Sequence, residues 1–252
     1  MRDPARRALA DELYAAGRDH DARQADRLAR RRNVEPETAA LLGVLIRAKN
    51  ARTVLEIGTS NGYSTIWLGD AVQDTGGMVV TLEIEPERAA EARENIAKAA
   101  LEAAVELRTE DAAHALKALP DEAFDVVFLD SERDAYPGYW PELVRILAPA
   151  GLLAVDNVIS HAAELVEFRA RVDADDRVDQ ALADAARERG IKRFVATMLP
   201  DNLGAHRLFA RVAQEREISA EGPLHELRGA LRPAACRRAG HRRDGRHARD
   251  RA

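Results

Sequence analysis

Acidic residues recur where short apolar runs end. Glu56 follows Thr53-Val54-Leu55, Glu83 follows Val79-Val80-Thr81-Leu82, and Asp111 comes after Val105 to Leu107. Asp130 follows Phe124 to Leu129, and Asp156 follows Leu152 to Val155. The two oxygens of a carboxylate match a vicinal diol, so Glu83 suits the two hydroxyls of a ribose; the competing reading is a helix-capping or solvated glutamate. Ile84 offers an apolar edge to a base, and Asp111 can accept from an exocyclic amine. Between Glu56 and the next apolar run lie Gly58 and Gly62, which allow backbone to approach a ligand closely. Three residues separate these glycines, unlike the G-x-G-x-x-G of dinucleotide sites, so the loop suits a nucleoside without a pyrophosphate.

Such groups converge only if the chain places its strand ends side by side. Val54 to Ile57, Met78 to Ile84, Val105 to Leu107, Phe124 to Leu129 and Leu152 to Val155 read as strands. Between them Tyr63 to Val72, Pro86 to Ala100, Ala112 to Ala118 and Tyr139 to Leu147 read as helices, with Ala39 to Lys49 preceding the first strand. The alternation predicts an α/β, Rossmann-like, doubly wound and mainly parallel sheet with helices on both faces. Ligands in such folds sit at the carboxyl ends of the strands, which puts all five acidic residues on one functional rim. Residues 4 to 31 show helical spacing among alternating charges and predict a helix packed on the main domain or on a second copy.

The run Glu56-Ile57-Gly58-Thr59-Ser60-Asn61-Gly62-Tyr63-Ser64, then Glu83, resembles the class I S-adenosylmethionine-dependent O-methyltransferases related to catechol O-methyltransferase. Phe128-Leu129-Asp130-Ser131-Glu132-Arg133-Asp134-Ala135-Tyr136 and Val155-Asp156-Asn157-Val158 carry the resemblance further, and it spans roughly Asn33 to Val178. It implies that backbone at Val34 touches the methionine part of the methyl donor. Glu56 and Ser64 would surround its amino acid moiety, Glu83 would hold the ribose and Asp111 would stand where the adenine is read; Gly58, Ile84 and Asp130 are also expected in the methyl-donor site. Asp130, Asp156 and Asn157 would hold a divalent cation, expected to be magnesium; the competing reading is that Asp156 and Asn157 cap the next helix.

The implied reaction is methyl transfer to a hydroxyl of a small, catechol-like or phenolic acceptor, with metal-assisted ionisation of that hydroxyl. Where relatives carry a lysine as base this chain has Arg133, whose guanidinium stays protonated and can stabilise an oxyanion without abstracting a proton, so metal-assisted ionisation, Glu132 or Asp134 would have to replace it. That substitution keeps a second class of function open: a non-catalytic S-adenosylmethionine-binding or assembly module. Methylation of nucleic acid is disfavoured, because the strand ending at Asp130 lacks the Asn/Asp-Pro-Pro-aromatic motif of amino-directed base methylases.

Four stretches follow from the pattern: a helical extension over 1–32, the methyl-donor domain over 33–178, an atypical segment over 179–227 and a basic disordered tail over 228–252. Ala181 to Val212 resembles the later helix-strand-helix part of a GCN5-related N-acetyltransferase without its coenzyme A loop, so acetyl transfer is not predicted. This segment is either a recombined fragment, or Phe194 to Leu199 and Leu208 to Val212 act as substitute edge strands. The arginine-dense tail has almost no apolar period. A net charge of −5 disfavours non-specific affinity for nucleic acid, and the single cysteine, Cys236, fits a reducing compartment. No apolar run at the N-terminus reads as a signal peptide or membrane span, which predicts a cytoplasmic protein without a membrane partner. Pairing of two copies through the N-terminal helix stays open, and His241 and His247 lack metal-site spacing.

Overall fold

The computed structural model describes residues 1–158, 160–175 and 177, together with the strands spanning 193–198, 213–221 and 224–231. It divides into two compact units, Met1–Ala185 and Ala186–Ala252.

The first unit opens with α1 (Pro4–Asp21), capped by the Asp3 carboxylate, which accepts from the Ala5 and Arg6 amides. The helix stops at Asp21 because that carboxylate turns back to accept the amides of Arg31 and Arg32, at 2.6 and 2.9 Å. The helical spacing expected through residue 31 is thus replaced by a loop with one 3-10 turn, Arg27–Ala29. α2 (Pro36–Lys49) begins on a proline in its first turn, with Glu37 at its positive end, and closes on Asn50 in the left-handed region.

There follow β1 (Thr53–Ile57), α3 (Tyr63–Gln73), β2 (Met78–Glu83), α4 (Pro86–Lys98), β3 (Val105–Thr109) and α5 (Ala112–Ala118). β4 (Phe124–Leu129), α6 (Tyr136–Ile146), β5 (Leu147–Val155) and α7 (Val166–Ala174) complete this unit. The five strands pair in parallel in the order β3-β2-β1-β4-β5. The order reverses between β1 and β4, and the carboxyl ends of those two strands form the switch point.

Alternate residues of each strand feed two cores. Val54, Val79, Val126 and Phe128 pack with α2, α3 and α4 on one face, while Leu55, Leu82, Val127 and Leu129 pack with α5, α6 and α7 on the other. Burial on both faces explains why these strands read as continuous apolar runs. α1 joins the first core: Ala10 is fully buried, the Tyr14 ring stands 5.6 Å from Tyr63, and the Arg7 guanidinium lies 5.0 Å over Trp67. Of the two expected partners for this helix, the main domain is the one it packs against.

The second unit contains β6 (Arg193–Met198), β7 (Ala213–Glu221) and β8 (Leu224–Leu231), an antiparallel sheet in the order β6-β8-β7. Of the two readings of this segment, the one with Phe194 to Leu199 as a substitute edge strand of the parallel sheet is not what forms, since Arg193–Met198 is β6 of the antiparallel sheet. β6 pairs with β8 along one edge, in unbroken register from Arg193↔Ala230 to Met198↔His225. The expected tail boundary at 228 is corrected too. Arg228 pairs with Val195 on one side and Glu217 on the other, so the chain is strand through Leu231. Leu208 to Val212, most of the acetyltransferase-like stretch, Cys236, His241 and His247 lie outside the described residues. Among the described residues no helix is long and apolar enough to cross a membrane.

Candidate active site

The loop from β1 to α3 is shaped by its glycines. Gly58 has φ of +104°, and a Cβ there would stand 2.0 Å from the Asp130 carbonyl oxygen, so only glycine lets this loop lie against the end of β4. Gly62, at φ +84°, caps α3 where a Cβ would press on the backbone of Ala92 in α4.

Beneath the loop, Glu56 is fully buried. Its Oε1 accepts from Ser64 Oγ at 2.6 Å, and its Oε2 accepts from Thr65 Oγ1 at 2.5 Å and Thr81 Oγ1 at 2.7 Å. Thr59 Oγ1 lies 2.6 Å from Thr81 Oγ1, which donates to Glu56, and so extends the chain. Burial pushes the Glu56 carboxyl up to about 7, against the three hydroxyl donors that favour its charged form. Glu83 ends β2 with both oxygens engaged: Oε2 accepts the Ser60 amide at 2.8 Å and Oε1 the Glu85 amide at 3.0 Å. Each oxygen keeps lone-pair capacity for a further donor.

Thr59, Ser60, Ser64 and Glu83 border a cleft of about 710 Å³, a volume suited to a nucleoside-sized ligand, whereas Glu56 lies behind Ser64 and does not line it. Val34, Gly58, Ser64 and Glu83 line it, as do Ile84, Asp111 and Asp130. Ile84 is 60% exposed, which leaves its apolar face open to the cleft. Asp111 also caps α5, accepting the Ala113 amide at 2.7 Å. The capping role and the rim position coexist, since the cap uses one oxygen.

Asp156 stands beside Asp130 because β5 pairs with β4 and the Asp156 amide donates to Leu129 O at 3.1 Å. Burial, then the Asp156 charge, then the Glu56 charge push Asp130 up to about 8, and burial raises Asp156 as well. Two neighbouring carboxylates that resist ionisation together are a donor set that a divalent cation would satisfy. The Asn157 amide donates to Asp156, and its Oδ1 accepts from Ser160 Oγ at 2.9 Å, an oxygen a cation could take over. Among the described residues no three His, Cys, Asp or Glu side chains cluster as metal ligands, so a cation here would need the Asn157 amide and water or acceptor oxygens. Neither Asp156 nor Asn157 borders the cleft; they flank it through Asp130.

Arg133 is buried, does not line the cleft, and donates from Nη1 to Glu164 Oε2 at 3.1 Å. Its charge acts on both Asp130 and Asp156. A guanidinium so placed can stabilise negative charge at the Asp130 end without exchanging a proton.

Sequence reasoning missed several groups. Thr65, Thr81 and Thr59 form the hydroxyl chain under the loop; the sequence signal for Thr65 and Thr81 is polarity within otherwise apolar elements, while Thr59 is only one polar residue of the glycine loop. Leu28, Ala29 and Arg31 to Val34 form one wall of the cleft, held by Ser60 Oγ on Arg31 O at 2.9 Å and by Arg88, which donates to Leu28 O and Arg30 O. Their arginine run reads as a solvated helical face in sequence.

A family model described as O-methyltransferase matches residues 17–193. A catechol O-methyltransferase of Niastella koreensis is 32% identical over 177 residues, 64% of this chain and 78% of that protein. A catechol O-methyltransferase of Mycobacterium tuberculosis is 36% identical over 160 residues, 64% of this chain and 69% of that protein. The solved structure of the Bacillus cereus O-methyltransferase in complex with SAH superposes with a TM-score of 0.53 at 25% identity, covering 92% of each chain.

Proposed function

The chain belongs to the O-methyltransferase family and is an S-adenosylmethionine-dependent O-methyltransferase; on that premise we propose that it methylates a hydroxyl of a small catechol-like or phenolic acceptor with the help of a divalent cation. The observation that carries this reading is the meeting, at one sheet edge, of Glu83 with its bound amides and Asp130 beside Asp156.

Glu83 would hold the ribose hydroxyls, positioned beforehand by the Ser60 and Glu85 amides. Ile84 would lie along the base, with Asp111 within reach of its exocyclic amine. Glu56, through Ser64, and the backbone at Val34 would fix the amino acid end. When bound, the methyl donor supplies a methyl on a positively charged sulfonium, and the cation, expected to be magnesium, lowers the pKa of the acceptor hydroxyl. Asp130, Asp156 and the Asn157 amide would hold that cation. Arg133, fixed by Glu164, would lend positive charge to the oxygen end of the site. Arg133 is not asked to act as a base: a cation held by Asp130, Asp156 and Asn157 would favour the ionised acceptor, whose proton would leave to water.

Calorimetric titration with S-adenosylmethionine, followed by methyl-transfer assays on a catechol panel with magnesium and with chelator, tests the proposal. Binding with turnover lost in chelator is the expected result. Binding with turnover unchanged in chelator would overturn the cation's part, binding without any turnover would leave a methyl-donor-binding module instead, and absence of binding would overturn both.

A further inference from the structure

At the carboxyl ends of β2 and β3 the cleft carries charge that the chemistry above leaves unused. Glu83, Glu85, Glu87, Glu91, Glu110 and Asp111 line this end. Of the guanidinium groups on the lining, Arg31 is taken by Glu91 at 2.6 Å and Arg32 by Glu132 at 2.5 Å, while Arg88 donates to the carbonyl oxygens of Leu28 and Arg30. Among the described residues Glu83, Glu85, Glu87, Glu110 and Asp111 form no ion pair, so five carboxylates stand against the one guanidinium of Arg88. Helix ends account for part of this, since Glu87 lies in the first turn of α4 and Asp111 caps α5. Each end brings at most roughly half a positive charge, which leaves this lip at about minus three. Glu85, Glu87 and Asp111 are exposed, so the field reaches into solvent.

Such a field acts differently on what enters and what leaves. At neutral pH S-adenosylmethionine carries a carboxylate, an ammonium and a sulfonium, hence one net positive charge. On transfer the methyl carbon passes from sulfur to the acceptor oxygen and the electron pair of the broken C–S bond stays on sulfur. S-adenosylhomocysteine is left with no net charge. A cleft with low-dielectric walls focuses its field and raises the rate of entry of an oppositely charged ligand by about tenfold or more, whereas a neutral molecule of the same shape feels little of it.

We propose that the acidic lip is a charge filter that speeds entry of the cationic donor and gives the neutral product no such pull, with Glu87 and Glu110 as the residues that set donor over product. Neither has a part in the nucleoside contacts assigned above, so charge is what they contribute. The inference rests on the donor occupying this cleft and asks nothing of the acceptor or of a divalent cation.

Stopped-flow association of the whole chain with S-adenosylmethionine and, separately, with S-adenosylhomocysteine tests it, in chelator, at salt concentrations of about 10 mM and about 1 M, between which the screening length falls from roughly 30 to 3 Å. The donor's association rate should fall about tenfold across that range, and the product's by less than about twofold. Glu87→Gln combined with Glu110→Gln should lower the donor's rate at low salt by roughly threefold and leave the product's rate unchanged, which also shows that the cleft is intact. Glu94→Gln combined with Glu102→Gln removes the same charge from exposed positions off the cleft and should leave both rates as in the wild type. Equal salt slopes for donor and product, a fall of both rates in the first variant, or an equal effect of the second variant overturns the inference while the donor keeps its place. Binding of neither molecule overturns the donor's place in the cleft itself.

Discussion

Glu83 and Glu56 are both carboxylates at the carboxyl ends of neighbouring strands, yet their surroundings give them different work. Glu83 accepts two backbone amides and faces the cleft, so its carboxylate is held in one orientation. Glu83→Ala should weaken S-adenosylmethionine binding on the order of 10- to 100-fold by calorimetry, with Glu83→Gln intermediate. An unchanged dissociation constant would remove Glu83 from the binding role. Glu56 is buried, and its folded value of about 7 lies above the ordinary 4.5. Its contribution to stability is therefore fully present below about pH 4.5 and lost as pH rises through about 7, a swing of at most about 3 kcal/mol. Urea unfolding of Glu56→Gln should show a flatter decline between those pH values than the wild type; identical slopes would contradict the burial argument. At this scale the sequence made the rim carboxylates legible, because each closes an apolar strand. It hid the hydroxyl chain under Glu56 and the wall built from Arg31 and Arg32, because those depend on which side chains meet across the fold.

The strand-loop-helix from Thr53 to Gln73 is the element on which the site depends, and Gly58 is its tightest point. Gly58→Ala would place a methyl group where the Asp130 carbonyl stands, at a φ of +104° that alanine strongly disfavours. The loss should be at least about 2 kcal/mol, read as a melting drop of roughly 5 °C or more. Binding of the methyl donor should fall with it, since the strain is relieved only by moving Asp130 or the loop. A variant that melts and binds like the wild type would show that the loop is free of that contact. β1, α3, α5 and β4 could be read from their periodicity almost to the residue. β5 could not, because Ala148-Pro149-Ala150-Gly151 looks like a turn. In the fold the strand already starts at Leu147, and its register with β4 jumps from Phe124↔Leu147 to Val126↔Leu152. α6 starts at Tyr136 rather than Tyr139, since Pro137 sits in its first turn, where its missing amide hydrogen costs nothing.

At the scale of the whole molecule, every described residue assigned to the methyl-donor site belongs to the unit Met1–Ala185, while β6, β7 and β8 belong to Ala186–Ala252. A ligand stabilises the cooperative unit that binds it, by about 2.7 kcal/mol at a hundredfold excess over its dissociation constant. For a unit of this size that corresponds to roughly 5 to 10 °C in melting temperature. Hydrogen exchange separates the two units directly. S-adenosylmethionine should slow exchange at the amides of β1, β2 and β4, and at Ser60 and Glu85, whose amides Glu83 already holds. The amides of β6, β7 and β8 should exchange as before, because their hydrogen bonds form within their own antiparallel sheet. Equal protection of both groups would mean that the units open together and that the antiparallel sheet contributes to binding. Selective protection would place the methyl-donor site wholly within the parallel sheet, so that substitutions in β8 could change stability without changing affinity.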